Sequence, residues 1–190
     1  IPVNYIPNSE CPEWLSFLDK IMEGNQDIID YLQRAVGYSL TGDTTEQVLF
    51  FLHGSGSNGK SVFVETLQAM LGDLGASSRT DVIMKRSRGG IPNDLARLRG
   101  LRFVAMNETS EGQKMDEQVV KDITGGDTIT ARFLHQEFFD FIPAFKLWIR
   151  GNHKPVIHGT DEGIWRRIHM IPFGYLNNDQ QDTGGNHRRY

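Results

Sequence analysis

One run in the sequence has residue types and spacing that indicate phosphate chemistry: Gly54, Gly59, Lys60 and Ser61 fall in the pattern Gly-x-x-x-x-Gly-Lys-Ser. Backbone N–H groups that turn around a phosphate need glycine, because glycine reaches positive φ and allows close approach. In such a loop the lysine reaches the β- and γ-phosphates, and the serine hydroxyl binds Mg²⁺. The sequence therefore predicts a site for ATP with Mg²⁺, formed by Gly54, Ser55, Gly56, Ser57, Asn58, Gly59, Lys60 and Ser61.

The segments on either side of this run support the prediction. Residues 47–53 are apolar and fit a buried strand, while residues 60–71 fit a helix that ends at Gly72. A helix that begins at the loop would point its positive end at a bound phosphate. A chance match in a chain of this length arises on the order of one time in a hundred, so strand, loop and helix together favour a functional site over a glycine turn.

A carboxylate is expected near the Mg²⁺ and the attacking water, at the end of a neighbouring strand. The apolar segment 102–106 ends at Asn107 and Glu108. We interpret Glu108 as the residue that orients or deprotonates water and that binds Mg²⁺ together with Ser61. Asn107 stands where many such ATPases carry an aspartate, so one negative charge is missing. The alternative is that Glu108 is a surface acid at a strand end.

Three further residues could act on the γ-phosphate. Asn152 follows the apolar strand 145–149 and could contact the phosphate or the water, although an asparagine in a turn is the alternative. Arg166 and Arg167 come later, and arginine stabilises the charge of a transferring phosphoryl group. Supplied by a neighbouring subunit, such an arginine would make hydrolysis depend on assembly. The alternative is a pair of surface arginines that form ordinary salt bridges.

Helical and strand patterns account for most of the remaining chain. Apolar spacing predicts two helices between Pro12 and about Ser39, separated at Gly24-Asn25, and short helices over 94–99 and 115–123. Residues 73–100 are otherwise irregular. Segments 128–134 and 138–142 read as a hairpin with a turn near His135, and 165–173 is the last ordered element. Strands that alternate with helices predict an α/β fold with a mostly parallel sheet flanked by helices.

Composition and charge narrow the class of protein. The 190 residues carry a net charge of -4 and one cysteine, Cys11, which excludes an internal disulfide and favours a reducing, cytoplasmic setting. No apolar run approaches the roughly 18 residues of a membrane span. Residues 79–102 hold seven basic side chains and two acidic ones. That segment could contact a phosphate backbone or form a solvated surface. Because the chain begins Ile-Pro-Val, we expect a piece of a longer protein.

Four groups of residues occur in one order along the chain and together resemble a known family. They are the loop at 54–61, Asn107-Glu108, the stretch Lys121-Asp-Ile-Thr-Gly-Gly-Asp-Thr-Ile-Thr-Ala-Arg132, and Gly151-Asn152 with Trp165-Arg166-Arg167 and the closing Ile-Pro-Phe. This set resembles the superfamily 3 helicases, in particular the helicase half of phage and plasmid primase-helicases related to the poxvirus enzyme. The match runs from about residue 12 to Phe173.

The resemblance implies an AAA+-like fold, a hexameric ring of identical subunits, ATP hydrolysis at subunit interfaces and translocation on single-stranded DNA. It assigns the sensor to Asn152 and the arginine finger to Arg166 or Arg167. It also implies a hairpin that faces the pore, with Lys121, Arg132 and His135 as DNA-binding residues. The primase domain would lie elsewhere in the same longer chain, in the cytoplasm of a bacterial host if a phage or plasmid encodes it. No membrane partner is implied.

The same resemblance divides the chain into three parts. Residues 1–44 form a helical segment with a role in oligomerisation, 45–176 form the ATPase core, and 177–190 form a loose polar tail. Two other functions remain open at this point. A small-molecule kinase would use the arginines of 79–102 as a lid over the nucleotide. A nucleotide-dependent initiator would bind DNA without unwinding it.

Overall fold

A computed structural model of the chain describes residue 4 and residues 6–85, 93–107, 112, 114–154, 156–157 and 161–175. The helices in these ranges are α1 (Pro12–Ile21), α2 (Gln26–Leu40), α3 (Lys60–Leu71), α4 (Asn93–Ala96), α5 (Glu117–Gly125) and α6 (Glu162–Trp165). The strands are β1 (Leu49–His53), β2 (Gly75–Arg79), β3 (Phe103–Asn107), β4 (Ile129–Ala131), β5 (Phe139–Phe141), β6 (Lys146–Gly151) and β7 (Ile168–Pro172). No helix in the described ranges is both long and apolar enough to cross a bilayer.

The described strands build a five-stranded sheet in the order β2-β3-β6-β1-β7, and each neighbouring pair is parallel. Leu49 pairs with Ile168 at one end of β1, and His53 pairs with Pro172 at the other. All strands therefore begin at one edge and end at the opposite one. We call these the amino edge, where Lys146 begins β6, and the carboxyl edge, where β1 runs into the glycine loop. This confirms the predicted α/β fold with a parallel sheet between helices.

Alternate residues of each central strand enter cores on opposite faces of the sheet, as expected for strands buried on both sides. Phe50, Leu52 and Trp148 pack with α1, α2 and α3, whereas Phe51 and Ile149 pack with the chain around α4, α5 and the β4–β5 hairpin. Trp148 is fully buried, and its ring lies 4.4 Å from that of Phe50 and 5.5 Å from that of Phe103. The aromatic cluster fixes β1, β3 and β6 behind the loop.

The two N-terminal helices form as predicted, with the break at Gly24-Asn25. The Asn25 side chain caps α2 by accepting a hydrogen bond from the Ile28 N–H at 3.2 Å. Both helices contribute to the core that contains α3, and the Trp148 indole donates to Ser39 Oγ at 3.0 Å. Residues of the 1–44 segment therefore pack directly on the core between the parallel sheet and α3, while their role in oligomerisation stays a prediction.

The hairpin also forms as predicted, since Ile129 pairs with Phe141 and the turn near His135 is closed by Gln136 N–H donating to Phe133 O at 3.1 Å. The irregular reading of 73–100 was wrong in one respect, because β2 lies within it and pairs with β3. The β2 sequence Gly-Ala-Ser-Ser-Arg has no apolar pattern, since this edge strand is only partly buried. Residues 177–190, the predicted tail, lie outside the described residues.

Candidate nucleotide site

The glycine loop connects the carboxyl end of β1 to the first turn of α3 and is packed tightly at two positions. A Cβ on Gly54 would lie 2.1 Å from the backbone oxygen of Phe173, which no side chain tolerates. Gly59 has a φ of +87° and a Cβ there would lie 2.6 Å from Ile21 Cγ2. Gly56 has no heavy atom within 4 Å of a built Cβ, so its glycine is not required by packing. The loop therefore owes its shape to Gly54 and Gly59.

Asn58 and Lys60 are buried within this loop, with 2% and 7% of their surface exposed. The Asn58 amide donates to the carbonyl oxygens of Ser55 and Phe173, the latter at 2.8 Å. Lys60 Nζ donates to Gly54 O at 2.6 Å, Ser55 O at 3.2 Å and Asn58 Oδ1 at 2.9 Å. Burial lowers the pKa of the Lys60 ammonium, because removal from water disfavours its charged form. An anion here would stabilise that charge.

A cavity of about 530 Å³ opens in front of the loop. It brings together residues 56–61 with Asn152, which is exposed at the end of β6, as the sequence predicted. The opposite wall of the cavity was not predicted from the sequence. It consists of Phe17, Lys20 and Ile21 of α1 and Tyr175 beyond β7. Lys20 Nζ lies 5.3 Å from the centre of the Tyr175 ring. Apolar spacing in α1 showed only that Phe17 and Ile21 face the protein, so nothing in the sequence placed them against the loop.

Asn107 ends β3 at the same carboxyl edge, and the next residue, Glu108, lies outside the described residues. The Asn107 Oδ1 accepts a hydrogen bond from Arg150 Nε at 2.7 Å. Arg150 also donates to Glu65 of α3 at 3.1 Å, and only 13% of its side chain is exposed. A guanidinium thus faces the position where many related ATPases carry an aspartate. The Asn107 side-chain oxygen is engaged by the Arg150 guanidinium and is therefore not available as a metal ligand.

The described residues that line the cavity include no carboxylate, so they offer Mg²⁺ only neutral oxygen ligands. Ser61 is exposed in the first turn of α3 and lines the cavity, so its hydroxyl fits the predicted role. Among the described residues, no three His, Cys, Asp or Glu side chains cluster in a way that could hold a metal. The donor set fits a magnesium ion held mainly by phosphate oxygens and water, with Ser61 contributing from the loop.

Arg166 and Arg167 occupy different surroundings although they are adjacent. Arg167 is 8% exposed and donates to Thr124 Oγ1 at 3.2 Å, Gly163 O at 2.5 Å and Gln47 Oε1 at 3.0 Å. Burial lowers its pKa, and the neighbouring Arg166 charge adds to that effect. Arg166 is exposed and donates to Gln47 Oε1. Only Arg166 is therefore placed to reach a second molecule.

The two arginines lie at the amino edge, just before β7, whereas the loop lies at the carboxyl edge. β1 spans five residues between these edges. At about 3.3 Å per residue this separation is roughly 16 Å, farther than an arginine side chain extends. The structure therefore does not bring Arg166 to the cavity of its own chain.

The three predicted DNA-binding residues are spread over α5 and the hairpin. Lys121 lies on α5 and forms an ion pair with Asp161 at the start of α6, which lowers the pKa of that carboxyl. The Arg132 guanidinium lies 4.8 Å from the Phe138 ring centre, and His135 occupies the hairpin turn with a φ of +61°. Arg132 and His135 are brought together on the hairpin, and Lys121 is not.

Comparison with known proteins places this geometry in a family. Residues 52–167 match the family described as "Family of unknown function (DUF5906)". The chain is 35% identical over 159 residues to "Putative helicase L207/L206" of Acanthamoeba polyphaga mimivirus, which covers 83% of this chain and 16% of that protein. It is 28% identical over 178 residues to "Putative primase C962R" of African swine fever virus, with 86% and 18% covered. The chain thus spans less than a fifth of the length of these relatives.

Solved structures share the fold at low sequence identity. The apo structure of the NrS-1 C terminal region superposes with a TM-score of 0.66 at 15% identity, over 92% of this chain and 41% of that one. The JCV helicase superposes with a TM-score of 0.56 at 13% identity, over 89% and 47%. Together with the parallel sheet and the loop between β1 and α3, these matches confirm the resemblance drawn from the motifs. The chain belongs to the family described as "Family of unknown function (DUF5906)", with the fold of a superfamily 3 helicase domain.

Proposed function

We propose that this chain is the ATP-hydrolysing motor of a DNA helicase of the primase-helicase kind, which works as a ring of identical subunits. The observation that most supports this proposal is that Arg166 and the loop of residues 54–61 lie at opposite edges of the sheet. An arginine that cannot reach its own nucleotide can serve the nucleotide of a neighbour. A closed ring of identical head-to-tail contacts gives every loop such a neighbour.

Within one subunit, residues of the loop would bind and orient ATP. Lys60 would exchange its bonds to Gly54 O, Ser55 O and Asn58 Oδ1 for phosphate oxygens. Asn58 keeps its bond to Phe173 O and so preserves the loop during that exchange. Ser61 would bind Mg²⁺, which supplies charge neutralisation at the phosphates. Asn152 would touch the γ-phosphate or the water from the other side of the cavity.

The transition state needs two further groups. Glu108 would orient or deprotonate the attacking water, as predicted from its place after β3. Arg166 of the neighbouring subunit would stabilise the charge that develops on the transferring phosphoryl group. Arg167 would serve as its buried support through Thr124 and Gly163. On this proposal Arg166 is the finger, because its side chain is exposed whereas that of Arg167 is buried.

The hairpin would carry the DNA contacts. Arg132 and His135 offer charge, and Phe133, Leu134 and Phe138 are 38%, 69% and 53% exposed. Such a surface can bind a phosphate backbone and stack on bases without reading their sequence. The ion pair between Lys121 and Asp161 connects α5, which leads into the hairpin, to the start of α6, the helix just before Arg166. Hydrolysis at the interface could therefore move the hairpin along single-stranded DNA.

Assembly and partners follow from the same proposal. Residues 1–44 would contribute to the ring contact, since Leu15 is 56% exposed whereas the other large apolar residues of α1 are buried or partly buried. A hexamer is the expected ring. A primase domain would lie elsewhere in the longer chain, which fits a relative named as a primase. The bacterial cytoplasm expected for a phage or plasmid protein stays a prediction.

The test is the ATPase rate of the chain against its concentration, with and without single-stranded DNA. We expect the rate per chain to rise steeply with concentration and to increase further with DNA. A flat profile with stimulation by a small phosphate acceptor would support a kinase instead. DNA binding without turnover, in protein shown to be assembled, would support the initiator. Either result overturns the motor.

A further inference from the structure

The side chain of Gln47 connects the arginine pair to the end of α5. Its side-chain oxygen accepts hydrogen bonds from both Arg166 and Arg167, the latter at 3.0 Å. Its side-chain nitrogen donates to Gly125 O at 3.4 Å, at the end of α5. Gln47 also adopts a φ of +55°, which is uncommon outside glycine and asparagine. This backbone conformation aims the side chain at the arginines.

Hydrogen bonds connect the segments around Gln47 and leave its side chain little freedom. Gln47 N–H donates to Thr44 O at 2.9 Å, and Leu49 N–H donates to Arg167 O at 2.8 Å. Arg167 in turn holds Thr124, one residue before Gly125. The carboxamide of Gln47 is therefore a fixed acceptor, and Arg166 is the exposed group that it holds.

We propose that Gln47 is a positioning residue that holds Arg166 ready for the nucleotide of the neighbouring subunit. The inference rests on the proposed function, in which Arg166 acts across the interface. An exposed arginine has many rotamers, and fixing one of them removes an entropic cost from the catalytic step. The bond to Gly125 also links the position of Arg166 to the end of α5, from which the hairpin follows.

The variant that tests this role is Gln47→Asn. Asparagine accepts positive φ, so the backbone is retained, but its side chain is one methylene shorter and does not reach the arginines. We expect kcat for ATP hydrolysis to fall about tenfold while nucleotide Kd stays near the parent value. The melting temperature should fall only slightly, because buried Arg167 loses one of its three acceptors. Gln118→Asn is the matched control, because Gln118 is an exposed glutamine that bonds Asp122 within α5. It should leave kcat unchanged.

Mixed assemblies separate a role at the interface from a role within the subunit. Lys60→Ala protein has a defective loop but an intact arginine, whereas Gln47→Asn protein has an intact loop and a poorly held arginine. Mixing them, with co-assembly shown by a tag on one partner, should restore the specific activity of the interfaces that combine both intact halves. Mixing Gln47→Asn with Arg166→Ala should restore nothing, because both lack a placed arginine.

Failure of this inference and failure of the proposed function give different results. If Arg166→Ala mixed with Lys60→Ala regains no activity in co-assembled protein, the arginine does not act in trans and the proposed function fails. If that mixture regains activity but Gln47→Asn with Lys60→Ala does not, Gln47 acts on its own loop and the inference is overturned. A fall in melting temperature together with weakened nucleotide binding in Gln47→Asn would overturn it as well.

Discussion

The described residues include buried cations at both edges of the sheet, and these differ in what they bind. Lys60 at the carboxyl edge is 7% exposed, while Lys146 and Arg167 at the amino edge are 1% and 8% exposed. Burial lowers the pKa of all three. The protein oxygens around Lys60 come from residues within six positions along the chain. Lys146 instead donates to Thr41 O, and Arg167 to the side chains of Thr124 and Gln47.

This difference separates a cation that can change partners from cations that hold the fold together. Replacing the bonds of Lys60 by bonds to phosphate breaks no contact between distant segments. Releasing Lys146 would break a hydrogen bond between β6 and the residue after α2, and releasing Arg167 would break one between the start of β7 and α5. The carboxyl edge is therefore suited to binding and release, and the amino edge to fixed geometry at an interface.

The largest effect is expected for Lys60→Ala. Loss of the ammonium should lower ATP turnover by about 10³-fold or more, because binding and transition-state charge both depend on it. The melting temperature should change little, since its partners lie in the same loop. Lys154→Ala, an exposed lysine beyond β6 at the same edge, is the control. A turnover near that of the control would show that the loop is not the nucleotide site.

The arginine pair should respond in opposite ways to single substitutions. Arg166→Ala should reduce kcat by about 10³-fold, the lower end of the range for arginine fingers, with little change in stability. Arg167→Ala removes the donor to Thr124 Oγ1 and Gly163 O and leaves a cavity, which should cost about 2–4 kcal/mol of unfolding free energy. Chemical denaturation and steady-state kinetics measure both. Equal destabilisation by the two substitutions would remove the distinction between an exposed and a structural arginine.

A smaller effect distinguishes glycines within the loop. Gly54→Ala places a Cβ against Phe173 O and must shift the loop, which should cost about 10²-fold in kcat/KM. Gly56→Ala meets nothing within 4 Å and should cost less than about threefold. ATP titrations at fixed Mg²⁺ compare the two. Similar losses at both positions would mean that the loop adopts another shape when ATP binds.

The features predicted well from sequence were those with strong local patterns. The apolar runs predicted β1, β3 and β6. The glycine and lysine spacing predicted the loop between β1 and α3. β2 was missed because Gly-Ala-Ser-Ser-Arg carries no apolar signal and pairs only through its backbone with β3. Asn152 lines the same cavity as the loop, while its role as sensor stays a prediction.

Relations between distant segments were the part that sequence patterns did not reveal. Phe17 and Tyr175 meet at the cavity although more than 150 residues separate them. Gln47 was read as the first residue of a strand, and its contact with the arginines depends on a positive φ that no residue type in that segment indicates. The opposed environments of Arg166 and Arg167 follow from the turn between α6 and β7, which the sequence leaves undetermined.

The smallest predicted effect concerns Lys146, the other buried cation of the amino edge. Its ammonium donates to Thr41 O at 2.7 Å and lies 4.2 Å from the centre of the Tyr38 ring. Burial lowers its pKa to about 8, which Asp43 opposes and Arg102 reinforces. Between about pH 8 and pH 10.5 the unfolded chain then binds more protons than the folded one. Stability should therefore rise with pH across this window.

The measurement is the free energy of unfolding of the parent and of Lys146→Met between pH 7 and pH 10. The parent should gain roughly 2 kcal/mol over the variant across that range, because each unit of pKa difference contributes about 1.4 kcal/mol at most. Staying below pH 10 avoids the opposite contribution of Tyr31, whose pKa burial raises to about 12. A constant difference between the two proteins would mean that Lys146 keeps its proton and that its bond to Thr41 is made by the charged form throughout.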